Sequence, residues 1–184
     1  FGALLQKRGA ALVDSDQIAR QVTGPGGAAI AAIVQRFGPE FVDDTGALDR
    51  GRMRELAYSA PEARTALEAI VHPLVSLHSS QQAQAAEDAG TRVIVFDVPL
   101  LVESGRWVQR LDAVIVIDCP PAVRIQRVMG RSGLNRSTVE AILAAQSPRN
   151  IRRASADIVV HNGDNCTLAD LHKMAEQVAT RLGL

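Results

Sequence analysis

Aromatic residues are scarce in this 184-residue chain, which holds one Trp, one Tyr and four Phe. Platforms that stack single-stranded bases need aromatic faces, so their scarcity argues against that kind of nucleic-acid binding. The formal net charge is zero, from 20 basic and 20 acidic side chains. No global attraction to polyanions follows from such a balance. Lysine is nearly absent, with Lys7 after Gln6 and Lys173 after His172. Neither stands in a Gly-Lys-Ser/Thr motif, and the glycine-rich stretch Gly24-Pro25-Gly26-Gly27 has no lysine behind it. A phosphate-cradling P-loop needs that motif, so these residues do not supply one. The two cysteines, Cys119 and Cys166, lack metal-ligand spacing and read as free buried thiols of a reducing cytosol. His72, His78, His161 and His172 form no HExxH-like pattern, which argues against zinc. No apolar run approaches the roughly 18 residues of a membrane span. No secretory signal pattern is visible, and the chain begins at Phe1 rather than Met, so the natural N-terminus is expected upstream.

What the chain does have is a full apolar complement, 47% of its residues, enough for one α/β domain with an insertion. Four short β-branched runs each end on a polar residue. They are Ala11-Leu12-Val13-Asp14, Val93-Ile94-Val95-Phe96-Asp97, Val114-Ile115-Val116-Ile117-Asp118 and Ile158-Val159-Val160-His161-Asn162. Continuous apolar runs of this kind read as strands buried on both faces. Helical patterns separate them, which predicts a parallel sheet with ligands beyond its carboxyl ends. Asp14, Asp16, Asp97, Asp118 and Asn162 are therefore expected along one rim.

Between the first two strands, residues 26–89 are helical throughout and too long for a simple crossover, so they read as an insertion. Pro61 sits near a helix start, and His72-Pro73 marks a kink or boundary. Beyond the third strand, Pro120-Pro121 opens a helix through Met129. Gly130 to Gly133 forms a joint, and a further helix covers residues 137–146. The last helix, residues 167–182, carries an apolar stripe from Leu168 to Leu182.

Seven arginines, Arg124, Arg127, Arg131, Arg136, Arg149, Arg152 and Arg153, share one stretch with a single acid, Glu140. That local charge of +6, beside joint residues, suits a lid that neutralises phosphate oxygens and excludes water. A solvated basic face is the competing explanation. Asp16 fits either a helix cap or a proton acceptor for a substrate hydroxyl. Asp97 fits either a turn residue or an acid that orients magnesium through water. His72, in apolar surroundings, fits a satisfied core histidine as well as a ligand contact.

In order and spacing, these segments resemble the bacterial dephospho-coenzyme A kinase family over essentially the whole chain. The resemblance rests on Val13-Asp14-Ser15-Asp16 with Ala19-Arg20, Arg36-Phe37-Gly38, Gly46-Ala47-Leu48-Asp49-Arg50 and Val71-His72-Pro73-Leu74. It continues through Val98-Pro99-Leu100-Leu101-Val102-Glu103, Ile117-Asp118-Cys119-Pro120, Arg127, Arg131, Ala144-Ala145-Gln146, Arg149, Ala156-Asp157 and Asn162-Gly163. It implies an α/β fold, a parallel sheet of the P-loop kinase type with a helical substrate-binding insertion and a mobile lid. The nucleotide core would comprise residues 1–25, 90–130 and 150–184, the coenzyme A subdomain 26–89 and the lid 131–149. It implies transfer of the ATP γ-phosphate to the ribose 3′-hydroxyl of dephospho-CoA, with Mg2+, in a cytoplasmic protein favoured as a monomer. Asp16 would be the base. Arg20, His72, Pro73, Leu100 and Glu103 would bind the acceptor, and Arg131, Arg149 and Asn162 the nucleotide. The family's opening strand and Gly-Lys-Ser/Thr loop have no counterpart in these residues and are expected upstream. Another small-molecule kinase, or a non-catalytic nucleotide-binding protein, remains open on the residues alone.

Overall fold

The computed structural model describes residues 1–105 and 110–184. The chain divides into two compact units, one of Phe1–Arg8 with Pro99–Leu184 and one of Gly9–Val98. Residues 106–109, within the segment assigned above to the nucleotide core, lie outside the described residues.

The unit Gly9–Val98 is built on two parallel strands, β1 (Ala11–Asp14) and β2 (Ile94–Asp97). Their register pairs Asp14 with Asp97, so both runs end level on an acid. Between them come α2 (Ser15–Val22), α3 (Ile30–Phe37), a short 3-10 turn (Pro39–Phe41), α4 (Arg50–Ser59) and α5 (Pro61–Asp88). The turn at residues 43–46 closes on Asp43, whose Oδ1 accepts from the Thr45 and Ala47 amides. Gly46 takes φ 81° there, a conformation that costs an L-residue strain. Val13, Ile18, Val22, Ala29, Ile33, Leu48 and Met53 form the buried core. Helices thus fill most of the stretch between β1 and β2, within the same compact unit as the two strands.

Helix α5 departs from expectation. It spans 28 residues with Pro73 inside it, where a kink or boundary was expected; no element ends at His72-Pro73. Proline removes one i→i−4 bond, here the one to Ala69, and crowds that carbonyl. The packing of α5 against α2, α4 and β1 carries the helix through. His72 is exposed rather than a core histidine.

The other unit pairs β3 (Ile115–Asp118) with β4 (Ile158–His161), also in parallel, with Asp118 opposite His161. Helices α7 (Pro121–Ser132), α8 (Arg136–Ala144) and α9 (Arg149–Ala154) lie between these strands, and α6 (Leu101–Ser104) precedes them. Helix α1 (Gly2–Gln6) packs on α10 (Leu168–Leu182). A capping box at Thr167 and Asp170 sets the start of α10. Helix α7 runs three residues past Met129, so Gly130 is helical and the joint narrows to Gly133, which closes α7 at φ 68°. Helix α9 was not anticipated from the sequence.

Parallel strands separated by helices bear out the α/β fold class. Two further details differ from the sequence reading. The described strands form two two-stranded sheets, each within one unit, rather than one hydrogen-bonded sheet. They are also only half-buried, and Val159 is 41% exposed. An apolar run defines a strand, but its partner and cover are tertiary choices. Among the described residues no helix is long and apolar enough to cross a membrane.

Candidate active site

The rim expected from the sequence resolves into two strand ends, one in each unit. At the end of β1 and β2, three carboxylates come from Asp14, Asp16 and Asp97. Asp14 has extended backbone, φ −98° and ψ 107°, which suits the residue before a helix. Its Oδ1 accepts from the Gln17 amide at 2.9 Å. Asp14 is therefore the cap of α2, and the capping role offered above for Asp16 is corrected. Asp16 lies in the first turn, exposed, without a hydrogen bond or ion pair among the described residues. Its carboxylate is left free for chemistry.

Asp97 sits at the exposed end of β2. Desolvation first, and then the negative charges of Asp14 and Asp16, hold its carboxyl above the usual carboxylate range. A divalent cation would relieve that repulsion. Among the described residues no cluster of three or more metal-ligating side chains is present. Magnesium does not need one, since it takes one or two carboxylates with waters and substrate phosphates. Asp97 with Asp14 fits such a role. Arg20 is exposed in the last turn of α2. His72 and Pro73 are exposed on α5, in the same unit. Arg50, given no role above, donates from Nη2 to the buried Thr23 hydroxyl at 2.9 Å and ties α4 to the end of α2.

The second strand end is organised around Asp118, which is 4% exposed. Arg149, at the start of α9, donates to it from Nε at 2.7 Å and from Nη2 at 2.6 Å. Arg153 Nε and His161 Nδ1 each stand 3.9 Å from the same Oδ2. The hydrogen bonds from Arg149 outweigh burial and hold the Asp118 carboxyl below the usual range. The Asp118 carbonyl accepts the Asn162 amide at 2.7 Å. Arg127 Nη1 reaches Asn162 Oδ1 at 2.8 Å, and its Nη2 reaches the Gly163 carbonyl at 2.8 Å. Gly163 is buried, and a Cβ there would strike the His161 ring. The loop after β4 is thereby fixed against α7.

The arginines of the basic stretch are not equivalent. Arg136 pairs with Glu140 on the exposed face of α8. Arg124 donates to Gln146. Burial, and then the charge of Arg152, push the Arg124 guanidinium below its usual range. The Arg152 Nε is buried without a partner among the described residues. Arg131 is exposed near the end of α7 with no partner among the described residues. Leu100 is 44% exposed before α6. Glu103, on α6, accepts the Ser147 amide at 2.7 Å and so holds the turn before α9. Of the expected nucleotide residues, Arg149 and Asn162 converge on Asp118, while Arg131 stands apart. The sequence placed Asp118 on the rim but assigned it no partner.

The dephospho-CoA kinase family model matches residues 1–167. The chain belongs to the dephospho-CoA kinase family. It is 50% identical over 181 residues to the dephospho-CoA kinase of Albidiferax ferrireducens, covering 98% of this chain and 85% of that protein. It is 48% identical over 167 residues to that of Bordetella pertussis, covering 91% and 76%. A crystal structure from Thermus thermophilus superposes with a TM-score of 0.78 at 33% identity, covering 98% of this chain and 88% of the other. The dephospho-CoA kinase from Campylobacter jejuni shares the fold, with a TM-score of 0.70 at 22% identity.

Proposed function

We propose that this member of the dephospho-CoA kinase family transfers the γ-phosphate of ATP to the ribose 3′-hydroxyl of dephospho-CoA, giving CoA and ADP. The observation that carries the reading is the exposed carboxylate of Asp16, without a partner among the described residues because Asp14 does the helix capping. Asp16 accepts the hydroxyl proton as the acceptor oxygen attacks phosphorus. Arg20, His72, Pro73, Leu100 and Glu103 bind dephospho-CoA, with the helical block 26–89 as its subdomain. Arg131, Arg149 and Asn162 bind ATP, and residues 131–149 act as the lid over it. The guanidinium groups make charge-assisted hydrogen bonds to phosphate oxygens, stronger than neutral ones. Asp14, and Asp97 through water, would hold Mg2+, and the ion would supply neutralisation of charge on the phosphate oxygens. The reaction takes place in the cytoplasm, on a protein that is favoured as a monomer and needs neither membrane nor nucleic acid.

The test is ADP release by the full-length protein in a coupled assay, with and without dephospho-CoA. Release that depends on the acceptor, with a new phosphomonoester in the product, is expected. Acceptor-independent release, or none, would refute the reading.

A further inference from the structure

Arginine side chains at phosphate sites are useful in proportion to how well they are held. A free guanidinium on a flexible stem loses entropy on every contact, whereas one already fixed through one edge offers the other at little further cost. Arg149 is fixed in that way. Its Nε and Nη2 both donate to Asp118, a side-on pair that uses one edge of the fork. Among the described residues Nη1 carries no hydrogen bond. Asp118 is itself anchored. Its backbone lies opposite His161 in the pairing of β3 with β4, its carbonyl receives the Asn162 amide at 2.7 Å, and its side chain is 4% exposed. The turn leading into Arg149 is pinned independently, by Ser147 to Glu103 at 2.7 Å and by Gln146 to Arg124.

We infer that Asp118 is a positioning residue. It orients the Arg149 guanidinium through its Nε and Nη2 edge, so that Nη1 is presented to the nucleotide phosphates. The same residue, through its carbonyl, sets the position of Asn162. One strand-end acid therefore registers two of the three groups assigned above to ATP. The inference rests on the nucleotide-binding role proposed for Arg149.

Five variants of the full-length protein test it, with Asp118→Asn, Asp118→Glu, Arg149→Ala, Arg149→Lys and the double Asp118→Asn/Arg149→Ala compared at saturating and limiting ATP. A misplacement of about 1 Å costs roughly a hundredfold, so Asp118→Asn is expected to lower kcat/KM for ATP by about ten- to a hundredfold. The KM for dephospho-CoA should stay within about twofold, since positioning acts on one substrate only. The double variant should be no worse than Arg149→Ala, and Asp118→Glu should recover part of the loss. Arg149→Lys, with Asp118 intact, keeps the charge and loses the fork; it should fall as far as Asp118→Asn and serves if the latter melts at assay temperature. Normal Arg149→Ala kinetics would overturn the nucleotide role of Arg149 and this inference with it. Normal Asp118→Asn kinetics beside a defective Arg149→Ala would overturn the positioning role alone. So would tighter use of ATP by Asp118→Asn, which would make Asp118 a competitor for Arg149, or losses that add in the double variant.

Discussion

Replacing Asp16 by asparagine separates the base role proposed for it from helix capping, because Asp14 is the cap of α2. Asp14 supplies the cap of α2, at 2.9 Å from the Gln17 amide, and Asp16 is exposed in the first turn without a partner among the described residues. Asparagine keeps the size of Asp16 and loses one negative charge near a helix N-terminus, worth about 0.3–1 kcal/mol at an exposed site. For a chain of this length the melting temperature should fall by at most about 1–4 °C. Loss of a positioned base costs about 10²–10⁴ in rate, or roughly 3–5 kcal/mol of transition-state stabilisation at 1.36 kcal/mol per tenfold. Asp14→Ala is the stability counterpart. It removes the cap, worth about 1 kcal/mol, partly offset by relief of the repulsion on Asp97. Calorimetry of both variants, and initial rates of ADP release for Asp16→Asn at saturating substrates, make the comparison. Turnover by Asp16→Asn within about threefold of the parent would refute the base assignment. A loss of stability larger than that of Asp14→Ala would show that the reasoning about the cap is wrong.

Three further outcomes follow from the same geometry. Ser79 is buried in α5 with a hydroxyl that has no partner among the described residues, so Ser79→Ala should stabilise by about 1–3 kcal/mol and raise the melting temperature by several degrees; a lower melting temperature would mean the hydroxyl is bonded. Asp118 has a depressed folded-state pKa, chiefly from the Arg149 hydrogen bonds, against an unfolded value of about 3.9. Its contribution to stability is complete above that unfolded value and lost as pH falls through the folded one. Melting scans from pH 7 down to pH 2 should therefore show an acid limb that is flatter in Asp118→Asn, and identical limbs would count against the pairing. Arg131→Ala should weaken ATP use without a stability cost, while Arg136→Ala, which breaks the exposed pair with Glu140, should cost about 0.3–0.5 kcal/mol and leave ATP use unchanged. Equal kinetic losses in the two would indicate a diffuse basic field rather than a contact at Arg131.

Local chemistry made much of this protein readable in one dimension. β-Branched runs ending on polar residues announced β1 to β4, because burial of such side chains and the pleat of a strand act over a few residues. Proline and glycine marked the start of α5 and the end of α7 for equally local reasons. The order of motifs from Asp14 to Asn162 carried the family. Tertiary structure decided the rest. That α5 continues through Pro73 depends on its packing against α2, α4 and β1, which outweighs one lost hydrogen bond. Asp14 rather than Asp16 caps α2 because the helix starts at Ser15, directly after β1, and an aspartate at either position makes a good cap. The partner of Asp118 is Arg149, 31 residues away. Seven arginines of similar local sequence compete for so few acids that only the placement of α9 against β3 selects among them.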